Sequence, residues 1–155
     1  MLWRLRARIG YVVARRLFHW SWLVKQPRGW SWLEGQFARM ANLGDVAAQS
    51  FYGHILLFRG QGFAAREEGV RLLRLAASGG DAKAAYQLGV LSLAGNTRQA
   101  PDVLESVRWW TLAAAAGHAL AAQRLADLYR EGHPGLPADA EQAARFVQRA
   151  QELGL

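Results

Sequence analysis

Cysteine is absent from this sequence of 155 residues. A disulfide framework, a thiolate metal site and a cysteine nucleophile are therefore excluded. The absence leaves the cellular compartment open, because a chain without cysteine is stable in both oxidising and reducing surroundings.

Motifs for catalysis and metal binding are missing as well. No two of the four histidines have the spacing of metal ligands on one helix, and no G-x-S-x-G motif occurs. The "GQG" at residues 60–62 has neither the preceding strand nor the following lysine of a phosphate-binding loop. We therefore predict a protein without enzyme activity, metal or cofactor.

Acidic residues are absent from positions 1–33. That segment carries seven basic residues, which equal the whole net charge of +7, and five of the seven tryptophans. Its uncharged runs, such as residues 9–14, are too short for the core of a signal peptide or for a membrane span. We predict that the segment stays in the mature protein and that the chain is cytoplasmic, either free or peripheral to the inner membrane.

What the sequence does contain is an internal repeat. Three segments align without gaps from Gly44, Gly80 and Gly117, which are 36 and 37 residues apart. An alanine stands four residues after each of these glycines. A small residue stands nine residues after each of them, at Gly53, Gly89 and Ala126.

Each repeat is predicted to consist of two helices, because apolar residues recur with the helical period in both of its halves. Small residues at a helix crossing let the two axes approach closely. Glycine inside a helix costs about 1 kcal/mol relative to alanine, so Gly53 and Gly89 indicate a packing requirement. The glycine that ends each repeat suits a helix C-terminus, and Asp45 and Asp81 suit the N-cap of the helix that follows.

These segments resemble the Sel1-like repeat, a relative of the tetratricopeptide repeat. The family's first helix reads A-x-A-x-x-x-L-G-x-x-Y-x-x-G, similar to "AKAAYQLGVLSLAG" from Ala82 and "ALAAQRLADLYREG" from Ala119. The stretch "SVRWWTLAAAAG", ending at Gly117, is similar to its second helix. Ala126 replaces a family glycine, and Leu72 and Phe146 occupy a tryptophan position.

The resemblance covers roughly residues 38–155 and implies an all-α protein, a right-handed α/α superhelical solenoid of helical hairpins. Bacterial adaptor and assembly proteins of this family are implied as its functional relatives. We predict three repeats in residues 44–155, at about 44–79, 80–116 and 117–155. Residues 1–43 are predicted to form a divergent basic, tryptophan-rich hairpin that caps the solenoid, since a terminal repeat lacks one neighbour. Its helices would span 3–24 and 30–44 around the turn "KQPRG", which makes eight helices in all.

The first helices of successive repeats line the concave surface of such solenoids. The stripe of each first helix that does not pack inward is therefore a candidate groove for a partner. Its proposed residues are Phe51, His54, Phe58, Lys83, Gln87, Arg124 and Asp127. Two alternatives stay open: the N-terminal hairpin covers the two phenylalanines, and the charges near residue 124 form an ordinary surface pattern.

The basic N-terminal helix is the second candidate site. On a helical wheel its apolar residues, Leu5, Ile9, Val12, Val13, Leu17 and Trp20, lie on one side, and basic residues lie on another. Such a helix can lie on an anionic membrane. The proposed contact residues are Arg4, Arg8, Arg15, Arg16, Trp20 and Trp22. The alternatives are that the apolar face packs against the second hairpin, or that the helix contacts a protein or nucleic acid.

The leading hypothesis from the sequence is a non-enzymatic scaffold or adaptor that presents the groove to a protein or peptide. The alternative is a peripheral membrane protein that docks through its N-terminal helix. Exposed tryptophans would favour a homo-oligomer. A nucleic-acid partner is not expected, because the rest of the chain is neutral and offers no electrostatic funnel.

Overall fold

A computed structural model describes residues 2–155 and, in that range, contains nine helices and no extended sheet. The helices are α1 Leu2–Leu17, α2 Ser21–Lys25, α3 Pro27–Asn42, α4 Val46–Arg59, α5 Gly62–Ser78, α6 Ala82–Ala94, α7 Val103–Ala115, α8 Ala119–Glu131 and α9 Ala140–Glu152. They form two compact units, one up to residue 75 and one from residue 76 to 155. We refer to them as the N-terminal and C-terminal units.

The predicted N-terminal hairpin is wrong in its number of helices. The expected helix over residues 3–24 stops at Leu17, and the short α2 follows after a break. The third helix, α3, begins inside the predicted turn, with Pro27 at its first position. Proline suits that position because its missing amide would have no partner in the first turn anyway. The residue before it, Gln26, is extended, as proline requires of its neighbour.

Aromatic rings fill the core of the N-terminal unit. Phe37 of α3 is fully buried and meets Phe18 and Phe51 edge-to-face, with ring centroids 6.1 and 5.1 Å away. Phe18 lies directly after α1, and its ring contacts Phe51 at 5.5 Å. The residues that interrupt the N-terminal helix therefore bring Phe18 into this cluster.

Small residues occupy the helix crossing in every repeat. In the N-terminal unit, a Cβ on Gly53 of α4 would lie 3.1 Å from the carbonyl oxygen of Gly69 on α5. The same register places Ser106 of α7 and Ala143 of α9 in the C-terminal unit, 37 residues apart and both buried. The predicted packing role of Gly53 and Gly89 is thus confirmed. The crossing positions on the second helices, Gly69, Ser106 and Ala143, were not anticipated.

At the contact between α6 and α7, a tryptophan side chain occupies the space beside the glycine. A Cβ on Gly89 would overlap the indole of Trp110, which is itself buried. The indole Nε1 donates to the Tyr86 carbonyl oxygen at 3.0 Å, and the Ser106 hydroxyl donates to the Gly89 carbonyl oxygen at 2.9 Å. The missing side chain at position 89 therefore lets two side chains of α7 bind the backbone of α6.

Helix ends follow the predicted glycine and aspartate pattern. Gly80 and Gly117 have φ values of 92° and 95°, a conformation that favours glycine. The side chains of Asp45 and Asp81 accept the amides three residues on, at 2.8 and 2.7 Å. The third repeat has His118 at this place, and its Nδ1 accepts the Ala121 amide at 3.3 Å.

The His118 ring also stacks on Tyr86 of α6, with centroids 4.3 Å apart and planes inclined by 9°. Burial in this stack, assisted by the positive charge of Lys83, lowers the pKa of His118 below its ordinary value of 6.5. The neutral ring is the form that caps α8, because only an unprotonated Nδ1 accepts a hydrogen bond.

Replacing Gly89 with alanine is expected to lower the free energy of unfolding by about 1–3 kcal/mol, the usual cost of overpacking a core. The added methyl group would displace the Trp110 indole from its bond to Tyr86. Chemical denaturation measures the change. Gly35→Ala is the matched control, because Gly35 lies in α3, is exposed and has open space around its Cβ position. An equal loss in both variants would contradict the packing explanation.

The neutral His118 cap predicts a pH-dependent stability. Since the folded-state pKa of His118 lies below 6.5, its contribution is complete above that pH and declines as the pH falls through 6.5 towards the folded value. Asparagine caps helices without titrating, so His118→Asn is expected to flatten this part of the profile. Thermal unfolding midpoints of the two proteins between pH 8 and 5.5 provide the test. Parallel profiles would refute the role of His118.

Candidate interaction surfaces

Helix α1 has two apolar faces, and the bulkier one is exposed. Ala7, Tyr11 and Ala14 are buried where α1 packs on α3. Leu5, Ile9, Val12 and Val13 lie on the opposite side of the helix and are 44–61% exposed. We call these four residues the exposed face of α1. The interpretation that they pack against the second hairpin is wrong.

Close packing explains which face of α1 is buried. A Cβ on Gly10 would overlap the side chain of Gln36 on α3, so the two helices approach each other closely there. Alanine and glycine permit that approach, whereas branched side chains would hold the axes apart. The rings of Tyr11 and Phe37 meet edge-to-face, with their centroids 6.1 Å apart. Tyr11 is the large side chain on the buried side of α1.

Basic side chains surround the exposed face of α1. Arg4, Arg8 and Arg16 are exposed, and in the part of the chain that the structure describes no carboxylate lies within ion-pair distance of them. Arg15 is also exposed, but its guanidinium lies over the Phe51 ring at 5.3 Å. Beyond the helix, Trp20 and Trp22 are among the most exposed large hydrophobic side chains of the described residues.

The proposed groove residues of α4 do not share one environment. Phe51 is half-buried between Phe18 and Phe37, so the structure corrects its expected role as a free anchor. His54 is also half-buried, and its Nδ1 donates to the Ser50 carbonyl oxygen at 2.7 Å. Only Phe58 presents a ring to solvent, and His54 stacks beside it with centroids 6.3 Å apart.

In the C-terminal unit, the proposed residues Lys83 and Gln87 lie one turn apart on α6, and Arg124 and Asp127 lie one turn apart on α8. The stack of His118 on Tyr86 brings the start of α8 against α6. Lys83 and Arg124 are exposed, and Gln87 between them in sequence is half-buried. Asp127 is less available, because Arg130 and Gln123 donate to its Oδ1 at 2.8 and 3.1 Å. The hydrogen bonds of Asp127 therefore agree with the alternative interpretation, in which the charges near residue 124 form an ordinary surface pattern.

An exposed leucine accompanies the two cations of this surface. Leu120 lies one turn before Arg124 on α8 and is 41% exposed. Lys83 and Arg124 have no carboxylate at ion-pair distance within residues 2–155. Lys83, Gln87, Leu120 and Arg124 are called the α6/α8 surface below.

A cleft opens in the N-terminal unit where α1, the end of α3 and the start of α4 meet. Its volume is about 830 Å³. The lining residues are Arg4, Leu5, Arg8, Met40, Leu43, Gly44, Asp45 and Val46. Apart from the two arginines, no pattern in the sequence indicates this cleft, because its floor is assembled from residues about forty positions away.

The described residues contain neither a metal-binding cluster nor a helix that could span a membrane. Among residues 2–155, no group of three or more histidine, aspartate or glutamate side chains is arranged to hold a metal ion. None of the helices assigned there has both the length and the hydropathy needed to cross a bilayer.

Known proteins match this chain through its repeats. The family model described as Sel1 repeat matches residues 46–81, 82–118 and 119–155. No curated protein matches. Two solved structures, both bacterial, are similar over 79% of this chain.

One of them is a protective antigen present in uropathogenic Escherichia coli strains, described as displaying an SLR fold. It is 23% identical, with a TM-score of 0.68 and 26% of its own length covered. The other is a Sel1 repeat protein from Oxalobacter formigenes, 25% identical, with a TM-score of 0.69 and 49% of its length covered. The chain thus spans about half or less of each protein.

The predicted all-α class of Sel1-like helical hairpins is confirmed by these matches and by the observed helices. Three matched repeats extend from residue 46 to residue 155, which is well over half of the sequence. This protein belongs to the Sel1 repeat family.

Proposed function

We propose that this protein is a scaffold that binds a partner protein or peptide through the α6/α8 surface. Sel1 repeat proteins are in general non-catalytic protein-interaction modules. The observation that supports this particular surface is the pair of exposed, unpaired cations, Lys83 and Arg124, on helices joined by the His118–Tyr86 stack.

The composition of the surface indicates the chemistry of its partner. Two cations that form no ion pair attract a segment with acidic side chains and accelerate its association. Leu120 adds an apolar contact, and Gln87 provides both a donor and an acceptor for backbone groups. The partner segment is therefore expected to carry acidic residues around at least one apolar residue.

Reversing both charges, Lys83→Glu with Arg124→Glu, is expected to weaken partner binding about tenfold or more, since attraction at two sites becomes repulsion. The partner is first identified by photo-crosslinking from position 87 of the full chain. Its Kd is then measured for each variant. Arg108→Glu is the matched control, because Arg108 is exposed on α7, outside this surface. An unchanged Kd in the double variant would exclude the surface.

A second function is favoured by the exposed face of α1. We propose that the N-terminal unit docks peripherally on an anionic membrane, the cytoplasmic leaflet of the inner membrane in a bacterium. The face carries four exposed aliphatic side chains, with Arg4, Arg8 and Arg16 around it. An amphipathic helix of this kind inserts its apolar face among the head groups while arginines attract anionic lipids.

Exposed tryptophans fit the same docking mode. Trp20 and Trp22 are about two-thirds exposed, and tryptophan side chains concentrate at the membrane–water interface because their rings are amphipathic. Each arginine near an anionic surface contributes about 1 kcal/mol at physiological ionic strength. Docking through this face is therefore expected to weaken as salt is added.

The test is co-sedimentation of the full chain with phosphatidylglycerol-containing vesicles. Replacing Ile9 and Val12 with glutamine is expected to lower the partition coefficient more than about tenfold, because each lost aliphatic contact forfeits on the order of 1 kcal/mol. Both side chains are exposed, so the fold is expected to persist.

Leu104→Gln with Leu112→Gln is the matched control, because these exposed leucines lie on α7 in the C-terminal unit. Equal losses in both double variants would point to non-specific hydrophobic adsorption. Mass measurement by light scattering adds a separate outcome: a dimer abolished by the Ile9/Val12 variant would assign the face to a homo-oligomer and contradict membrane docking.

A further inference from the structure

The cleft of the N-terminal unit combines two kinds of surface. Met40 at the end of α3 is buried, and Leu43 and Val46, on either side of Asp45, are half-buried, so these three side chains form an apolar floor. Arg4 and Arg8 line the same cleft from α1. They are four positions apart in the sequence, so they lie one helical turn apart on the same side of α1.

Its volume of about 830 Å³ is large for a surface depression. Sites for small molecules usually measure about 300–1,000 Å³ and combine apolar walls with a few polar groups. A second cleft, in the C-terminal unit, is about half that size, and its one arginine, Arg130, already pairs with Asp127. The larger cleft is therefore the one with both apolar area and unpaired positive charge.

We propose that this cleft binds a single anionic lipid. The hydrocarbon chain would lie against Met40, Leu43 and Val46, and the phosphate or carboxylate would lie between Arg4 and Arg8. A neutral apolar ligand would form no ion pair with either guanidinium group. An inorganic anion would leave the apolar side chains of the floor exposed to water. An amphiphile with one acidic end satisfies both parts of the cleft.

A variant of Asp45 can test whether electrostatic attraction contributes to lipid binding in the cleft. Its carboxylate lines the cleft, while its Oδ1 accepts the Ala48 amide at 2.8 Å as the cap of α4. The negative charge opposes an anionic ligand. Because asparagine caps a helix as well as aspartate does, Asp45→Asn removes the charge and keeps the cap.

The cleft is distinct from the exposed face of α1. Ile9, Val12 and Val13 do not line it, and only Leu5 belongs to both surfaces. Lipid binding in the cleft therefore does not depend on docking to a bilayer. It can be measured with lipids that are monomeric in solution.

The experiment is isothermal titration calorimetry of the full chain with dihexanoyl phosphatidic acid below its micellar concentration. Octanoate, inorganic phosphate and zwitterionic dihexanoyl phosphatidylcholine are titrated in parallel. We expect saturable binding of one phosphatidic acid per chain, and weak or no binding of phosphate and phosphatidylcholine. Stronger binding of octanoate than of phosphatidic acid would assign the site to fatty acids within the same anionic-lipid class.

Charge variants locate the binding. Arg4→Gln and Arg8→Gln are each expected to weaken the affinity about fivefold, the effect of one basic residue beside an anionic lipid. Arg6→Gln is the matched control, because Arg6 is exposed on α1 but does not line the cleft. Asp45→Asn is expected to strengthen binding, a gain that damage to the fold would not produce.

Three results would overturn the proposal. Absence of binding by both amphiphiles excludes the site. Equal affinity for phosphatidic acid and phosphatidylcholine would show that the two arginines do not contribute to binding. Equal affinity for phosphatidic acid and phosphate would show that the apolar floor does not contribute. Equal losses from Arg4→Gln, Arg8→Gln and Arg6→Gln would mean that only the net charge of α1 matters. None of these results bears on the vesicle test of Ile9 and Val12.

Discussion

Close approach of paired helices is the constraint on which the rest of this structure depends. At each crossing one helix offers a glycine or alanine and the other a glycine, serine or alanine, in a register of 36 or 37 residues. The absence of side-chain volume at Gly89 is what allows Trp110 and Ser106 to hydrogen-bond the α6 backbone. Large side chains stand at the positions next to these small residues. Each repeat therefore combines a crossing of small residues with bulky side chains around it.

The same constraint determines the chemistry of the N-terminal surface. Helix α1 packs on α3 through Ala7, Gly10 and Ala14 because these residues permit close contact. As a consequence Ile9, Val12 and the other branched side chains point to solvent. In a helix with two apolar sides, steric fit rather than total hydrophobicity decides which side is buried. The exposed apolar surface is thus a direct result of the packing.

The elements that could be predicted from the sequence are those set by local physics. Glycine at C-termini, Asp45 and Asp81 at N-caps and the repeat register each depend on a few neighbouring residues, and the structure has them as expected. The buried face of α1 could not be predicted, because a hydrophobic pattern with period 3.6 does not say which of two apolar sides meets a partner. Coverage of Phe51 by the N-terminal hairpin was one of the alternatives left open, but its particular neighbours, Phe18 and Phe37, could not be predicted, because they lie 33 and 14 residues earlier.

Binding capacity in this protein follows from charges that packing leaves unpaired. Most carboxylates of the C-terminal repeats cap helices or pair within one helix, as Asp81, Asp127 and Glu141 do. Lys83, Arg124, Arg4 and Arg8 form no ion pair within residues 2–155, although Asp45 lines the same cleft as Arg4 and Arg8. A solvated cation costs the fold nothing and retains its full charge for a ligand. Among the described residues, unpaired cations adjoin exposed or cleft-lining apolar side chains at the α6/α8 surface, at the cleft beside α1 and around the exposed face of α1, so an acidic partner gains there from both charge and apolar contact.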